Sequence, residues 1–166
     1  MINFLSEFDV TLDSKGRFLL PANFRKQLPE GMGDKFVITR GFDKCLLLYP
    51  ANIWTKISAN ISVMNDMLAD VRNFKRLFQS PASPVEVDNA DRVMIPKNLL
   101  EKIGLTKEMM MVPAGNKMEL WDKDTYKEYQ KQWDDGTYEE AEGGLSKLAN
   151  AIAEKHGNPF EIKDDE

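Results

Sequence analysis

Two short segments of this chain set a carboxylate and a guanidinium four residues apart: Asp13 with Arg17, and Asp88 with Arg92. The pairing can do two kinds of work. As a surface ion pair it contributes only about 0–1 kcal/mol. Alternatively, the aspartate ties up a turn while the arginine offers its planar fork of donors to a phosphate or a guanine edge. The intervening Ser14-Lys15-Gly16 favours a turn, because Asp13 can accept from backbone N–H groups just ahead of it and Gly16 takes positive φ without strain. What lifts the pair above chance is that it recurs in a matching setting. Residues 9–28 (DVTLDSKGRFLLPANFRKQL) and 84–103 (PVEVDNADRVMIPKNLLEKI) align at an offset of 75. The alignment superposes Asp13 on Asp88, Arg17 on Arg92 and Pro21 on Pro96, together with the apolar positions Val10/Val85, Leu12/Val87, Phe18/Val93 and Leu20/Ile95.

The elements that must hold these residues repeat as well. Alternation before each aspartate and after each arginine predicts two half-buried strands joined by the turn as a hairpin. Pro21 and Pro96 end the second strand and suit the first turn of a short helix, over Ala22–Leu28 and Lys97–Ile103, with Gly104 as a C-cap of the latter. A hairpin follows in each copy, KFVITR and KCLLLY around Gly41-Phe42-Asp43, then residues 108–112 and 117–121 around Pro113-Ala114-Gly115-Asn116. Each leads into a helix, carrying Trp54 or Tyr126 near its start. Helical spacing from Met64 to Phe78 predicts a connecting helix, ended by Ser80-Pro81-Ala82-Ser83-Pro84. The division is thus 1–80 for the first repeat with its linking helix, 81–133 for the second, and 134–166 for an acidic extension in which Leu145–Lys155 can form an amphipathic helix.

Charge follows this division. The 166 residues carry 22 Lys and Arg against 27 Asp and Glu, a net charge of −5. Residues 127–166 hold five lysines and eleven acidic side chains, −6, which leaves 1–126 at +1. A uniformly basic nucleic-acid binder is excluded, so binding to an anion has to come from local placement. The lone histidine, His156, lies in the acidic extension and is expected to be exposed and idle; with the lone cysteine, Cys45, it makes no catalytic triad, zinc site or disulfide. No Walker or GxGxxG glycine loop occurs. Neither catalytic nor metal-binding residues nor a cofactor are expected, and no small-molecule substrate. Cys45 reads as a small buried hydrophobe, Met109-Met110-Met111 as strand filling, and Arg72, Lys75 and Arg76 as a solvated helix face. No apolar run reaches the ~20 residues of a membrane span, and the start has no signal-peptide pattern, so the expected location is cytoplasmic without membrane contact.

The doubled Asp-x-x-x-Arg, the following hairpins and the stretch Gly41-Phe42-Asp43-Lys44-Cys45-Leu46 resemble the MraZ family of bacterial transcriptional regulators over roughly residues 1–133. The resemblance implies an α+β fold of two tandem AbrB-like (SpoVT-AbrB) swapped-hairpin units, double-split-barrel-like, with short helices. It implies a ring-shaped homo-oligomer that binds double-stranded DNA at short direct repeats upstream of the division and cell-wall gene cluster, its own promoter included, as a nucleoid-associated repressor. Carried over by position, Arg17 and Arg92 would contact DNA, with Lys15 adding phosphate attraction, while Asp13, Gly16 and Asp88 structure the turns. One position departs from the family pattern: Asp91 stands where glycine is expected, and its charge beside Arg92 would weaken phosphate attraction there, which leaves open whether the two arginines contribute equally. The competing reading is an AbrB-like antitoxin or protein-interaction module acting through the acidic extension.

Overall fold

The computed structural model describes residues 2–139 and 144–163. The strands are β1 (Phe8–Thr11), β2 (Arg17–Leu19), β3 (Lys35–Arg40), β4 (Leu46–Pro50), β5 (Ser83–Glu86), β6 (Arg92–Met94), β7 (Glu108–Ala114) and β8 (Lys117–Asp122). The helices are α1 (Ala22–Arg25), α2 (Ala51–Ser62), α3 (Ala69–Phe74), α4 (Lys97–Ile103), α5 (Lys123–Asp134) and α6 (Gly144–His156), with a π-helical turn over Lys75–Gln79. Six strands form an antiparallel sheet in the order β1-β7-β8-β4-β3-β5, and β2 pairs with β6 in a separate two-stranded ribbon.

That order reads the same from either edge once each strand is exchanged for its counterpart in the other repeat. β1 of the first repeat pairs with β7 of the second, and β5 of the second pairs with β3 of the first. In the ribbon, Phe18 lies opposite Val93, its own equivalent at offset 75, and Arg17 and Leu19 lie opposite Met94 and Arg92. An internal two-fold axis therefore passes through the Phe18–Val93 pair.

The strands on either side of each Asp-x-x-x-Arg turn do not form the expected hairpin ladder. β1 and β2 are joined by the turn, yet each finds its partner in the other repeat. Alternation specifies which face of a strand is buried, not which neighbour completes its hydrogen bonds. Here Val10, Leu12, Phe18 and Leu20 all reach one core, shared with Val93, Ile95, Leu99 and the β7 methionines Met109 and Met111.

A second core lies on the opposite face of the sheet. β4 contributes Leu46 and Leu48 to the first core and Leu47 and Tyr49 to the second, which Cys45, just ahead of the strand, joins. α2, α3, α5 and α6 cover this side with Ile53, Ile57, Ile61, Val71, Phe74, Tyr126, Leu145 and Ile152. The predicted helix from Met64 to Phe78 is shorter than its spacing suggested: it begins at Ala69, and Met67 is 83% exposed in the loop before it. The π-helical turn that follows seats Phe78 in the core, and the buried Thr39 hydroxyl donates to the Phe78 carbonyl at 2.6 Å.

The extension is not a free acidic segment. α6 lays Leu145 and Ile152 against this core, and Phe160 meets Phe42, Phe74 and Phe78 edge-on at centroid distances of 5.3, 6.1 and 5.2 Å. The Asn60 amide donates to the carbonyls of Pro159 and Glu161 at 2.9 and 3.1 Å. His156, expected to be idle, has Nε2 3.1 Å from Asp70 Oδ2 on α3. Its spacing from Asp70 in sequence left that contact without any local signal.

Candidate nucleic-acid interface

Each turn is built around one carboxylate. Asp13 Oδ1 accepts from the backbone N–H groups of Lys15 and Arg17, both at 2.9 Å, while Oδ2 accepts from Arg17 Nε at 2.7 Å. The second turn repeats the arrangement: Asp88 Oδ1 accepts from the Ala90 and Arg92 N–H groups at 2.9 Å each, and Oδ2 from Arg92 Nε at 3.0 Å. Gly16 (φ 79°) and Asp91 (φ 60°) occupy the left-handed position that closes each turn. Asp13 and Asp88 each accept from two backbone N–H groups of their own turn and from the Nε of its arginine. Because each grips its arginine through Nε, the two Nη groups have no hydrogen-bond partner among the described residues.

These hydrogen bonds hold both carboxyls below the ordinary aspartate value of 3.8, the backbone N–H of the arginine being the largest cause in each. A carboxyl whose pKa is depressed by folding stabilises the native state above its unfolded pKa and loses that contribution as pH falls through the folded value. Carbon-13 NMR of the side-chain carboxyls is therefore expected to give Asp13 and Asp88 midpoints below 3.8. The Arg17 and Arg92 amide resonances should move with the same midpoints. Titration at or above the ordinary aspartate value would contradict this geometry.

The turns are locked by the opposite repeat. The Gly16 carbonyl accepts from Ile95 N at 2.9 Å and the Asp91 carbonyl from Leu20 N at 3.0 Å, equivalent bonds across the two-fold axis. Over each left-handed residue sits the first turns of the other repeat's short helix. Leu100 Cδ1 would lie 2.9 Å from a Cβ placed on Gly16, so the leucine packs directly on that glycine. Its equivalent, Arg25 on α1, instead makes a 2.6 Å ion pair with Asp91 Oδ1. Glycine under leucine in one turn has become aspartate under arginine in the other. The Asp91 charge is thereby met by Arg25, a role for Arg25 that sequence spacing did not reveal, since the partners lie in different repeats.

The turns remain unequal. Lys15 is exposed at the first, and its equivalent in the second is Ala90. The cations of the connecting segment are engaged locally: Lys75 pairs with Asp66, and Arg72 Nη1 donates to the carbonyls of Asp66 and Met67 at 3.0 and 2.9 Å.

Elsewhere, a groove of about 930 Å³ runs between residues 40–45, the end of α4, α5 and the start of α6, with Cys45, Trp121 and Tyr129 among its walls. Burial pushes the Cys45 thiol well up from its usual pKa, which leaves it protonated and a poor nucleophile. No group of three or more metal-ligating side chains occurs among the described residues. No described helix is long and apolar enough to cross a membrane.

Comparison with known proteins agrees with the doubled turn. The family described as "MraZ protein, putative antitoxin-like" matches residues 4–77 and again 78–145. A protein of Desulforamulus reducens named "Transcriptional regulator MraZ" is 36% identical over 151 residues, 91% of this chain and 98% of its own length. One of the same name from Natranaerobius thermophilus is 38% identical over 151 residues, 91% of this chain and 97% of its own. A solution structure from Pyrococcus horikoshii covers 70% of this chain and 86% of its own at 19% identity, with a TM-score of 0.32. With two copies of the family's unit and relatives aligned almost end to end, the chain belongs to the MraZ family.

Proposed function

We propose that this chain is a sequence-specific DNA-binding transcriptional regulator without enzymatic activity: a cytoplasmic, nucleoid-associated repressor. It recognises short direct repeats upstream of the division and cell-wall gene cluster, its own promoter included, as a ring-shaped homo-oligomer. Its body is a pair of AbrB-like swapped-hairpin units, a reading supported by the exchange of β1 and β5 between repeats. The carrying observation is the pair of turns with the same hydrogen bonds, in each of which Nε of Arg17 or Arg92 is pinned by the aspartate while the arginine side chain stays partly exposed.

The inequality of the turns supports direct repeats over a palindrome. Two identical turns about a local two-fold axis would read inverted half-sites. Lys15 against Ala90, and Gly16 against Asp91, break that equivalence and give each subunit a polarity along the duplex. A ring then presents the same polarity again and again, and linked weak contacts add through effective concentration.

A gel shift of the purified chain on the DNA upstream of its own gene tests the reading, run against a scrambled duplex across a salt series. Retardation of the native sequence alone is expected, with log K falling about 0.9 for each tenfold rise in salt per phosphate contacted. Equal retardation of both duplexes, or a flat salt response, would remove the proposal. Asp91→Gly supplies a finer check. It removes a negative charge beside Arg92 and frees Arg25, so anisotropy should show tighter binding at low salt and a slope steeper by about one unit. Unchanged affinity would place the second turn away from the phosphates.

A further inference from the structure

The outer face of the β2–β6 ribbon carries more than the two arginines. Because side chains alternate along a strand, Phe18 and Val93 point into the core while Arg17, Leu19, Arg92 and Met94 share the opposite face. Leu19 is 60% exposed and Met94 57% exposed, and neither packs in either core. They are two-fold equivalents, and each sits directly across the ribbon from a guanidinium: Leu19 from Arg92, Met94 from Arg17. Their side chains stand more open to solvent than the arginines, whose side chains are 27% and 36% exposed.

We infer that Leu19 and Met94 determine specificity by contacting thymine 5-methyl groups in the DNA major groove. This inference rests on the DNA-binding reading above and adds to it the class of base feature that the ribbon reads. Two large apolar side chains held between two guanidiniums call for a partner with apolar points set in a polyanionic frame. The major groove, about 12 Å wide, admits a two-stranded ribbon, and the thymine methyl is the apolar group on its floor. A second copy of the same face is a poor occupant, since it would bring four guanidiniums together with Asp13 and Asp88 already committed to their own arginines. The arginines would then account for phosphate or guanine contacts, and Leu19 and Met94 for thymine against uracil or cytosine.

The test uses the full chain and the DNA upstream of its own gene, amplified once with thymine and once with uracil in its place. Each methyl group buried against Leu19 or Met94 should contribute about fourfold in affinity, so uracil DNA is expected to bind wild type about fifteenfold more weakly where both are engaged. Leu19→Ala/Met94→Ala, two exposed changes that leave the melting temperature unaltered, should bind thymine DNA more weakly and no longer distinguish the two duplexes. Wild type binding both duplexes equally, or the double variant retaining the preference, overturns the inference. So does a change in the double variant's sedimentation mass, which would make this face a contact between subunits. If wild type shows no preference for the native thymine duplex over a scrambled one, the DNA-binding reading itself fails and the inference falls with it. If that preference is present and only the methyl effect is missing, the inference alone is lost.

Discussion

Arg17→Ala is expected to abolish retardation of the upstream DNA while leaving the fold and the sedimentation mass of the assembly intact. The size of the effect follows from multiplicity. A bidentate arginine contact with a base is worth about 1–3 kcal/mol of discrimination, and two linked subunits each losing one would lower affinity by roughly thirtyfold to twenty-thousandfold. The structural consequence is small by comparison. Asp13 keeps its two backbone N–H donors, so the turn survives, and the lost ion pair is a solvent-screened surface contact that contributes little to stability. Arg17→Lys should fail to restore binding. An ammonium cannot donate to Asp13 Oδ2 through one nitrogen while presenting two more to the groove. Arg92→Ala should be the weaker lesion, because that turn lacks a lysine at position 90 and carries Asp91. Native affinity in Arg17→Ala, measured by anisotropy beside a thermal melt, would move the binding surface away from the turns.

The turns could be read from sequence because their chemistry is local. An aspartate accepting from donors two and four residues ahead, and a left-handed residue before the arginine, are properties of five consecutive positions. The repeat made the reading specific, and the elements around it fall close to the expected places, including the Gly104 cap at φ 65°. What sequence concealed was every long-range choice. The pairing of β1 with β7 rather than β2, and of Arg25 with Asp91, requires knowing that the repeats interlock. Leu19 and Met94 fit an alternating strand and carry no label as outward-facing until the ribbon's buried face is fixed by Phe18 and Val93. The extension misled in a different way: its acidity is real, yet a few apolar residues in it govern where it goes, and net charge does not register them.

Those few residues make the second large prediction. Ile152 on α6 is fully buried beside α3, so Ile152→Ala should cost about 2–5 kcal/mol through lost apolar contact and the cavity left behind. For a chain of this size each kcal/mol corresponds to about 2–4 °C, giving a fall of roughly 4–20 °C in melting temperature. Phe160→Ala should lower it as well, since that ring is the edge-on partner of Phe42, Phe74 and Phe78. Neither change touches a turn, so below the new melting point both variants are expected to bind the upstream DNA as wild type does. This separates the two readings of the extension. A segment kept for docking a protein partner would leave its apolar side chains accessible and contribute little to stability, whereas Leu145 and Ile152 are already covered by the chain's own core. Calorimetry of the two variants decides it: an unchanged melting temperature would show that the extension does not hold this position, and would return Leu145 and Ile152 to the pool of residues available to a partner.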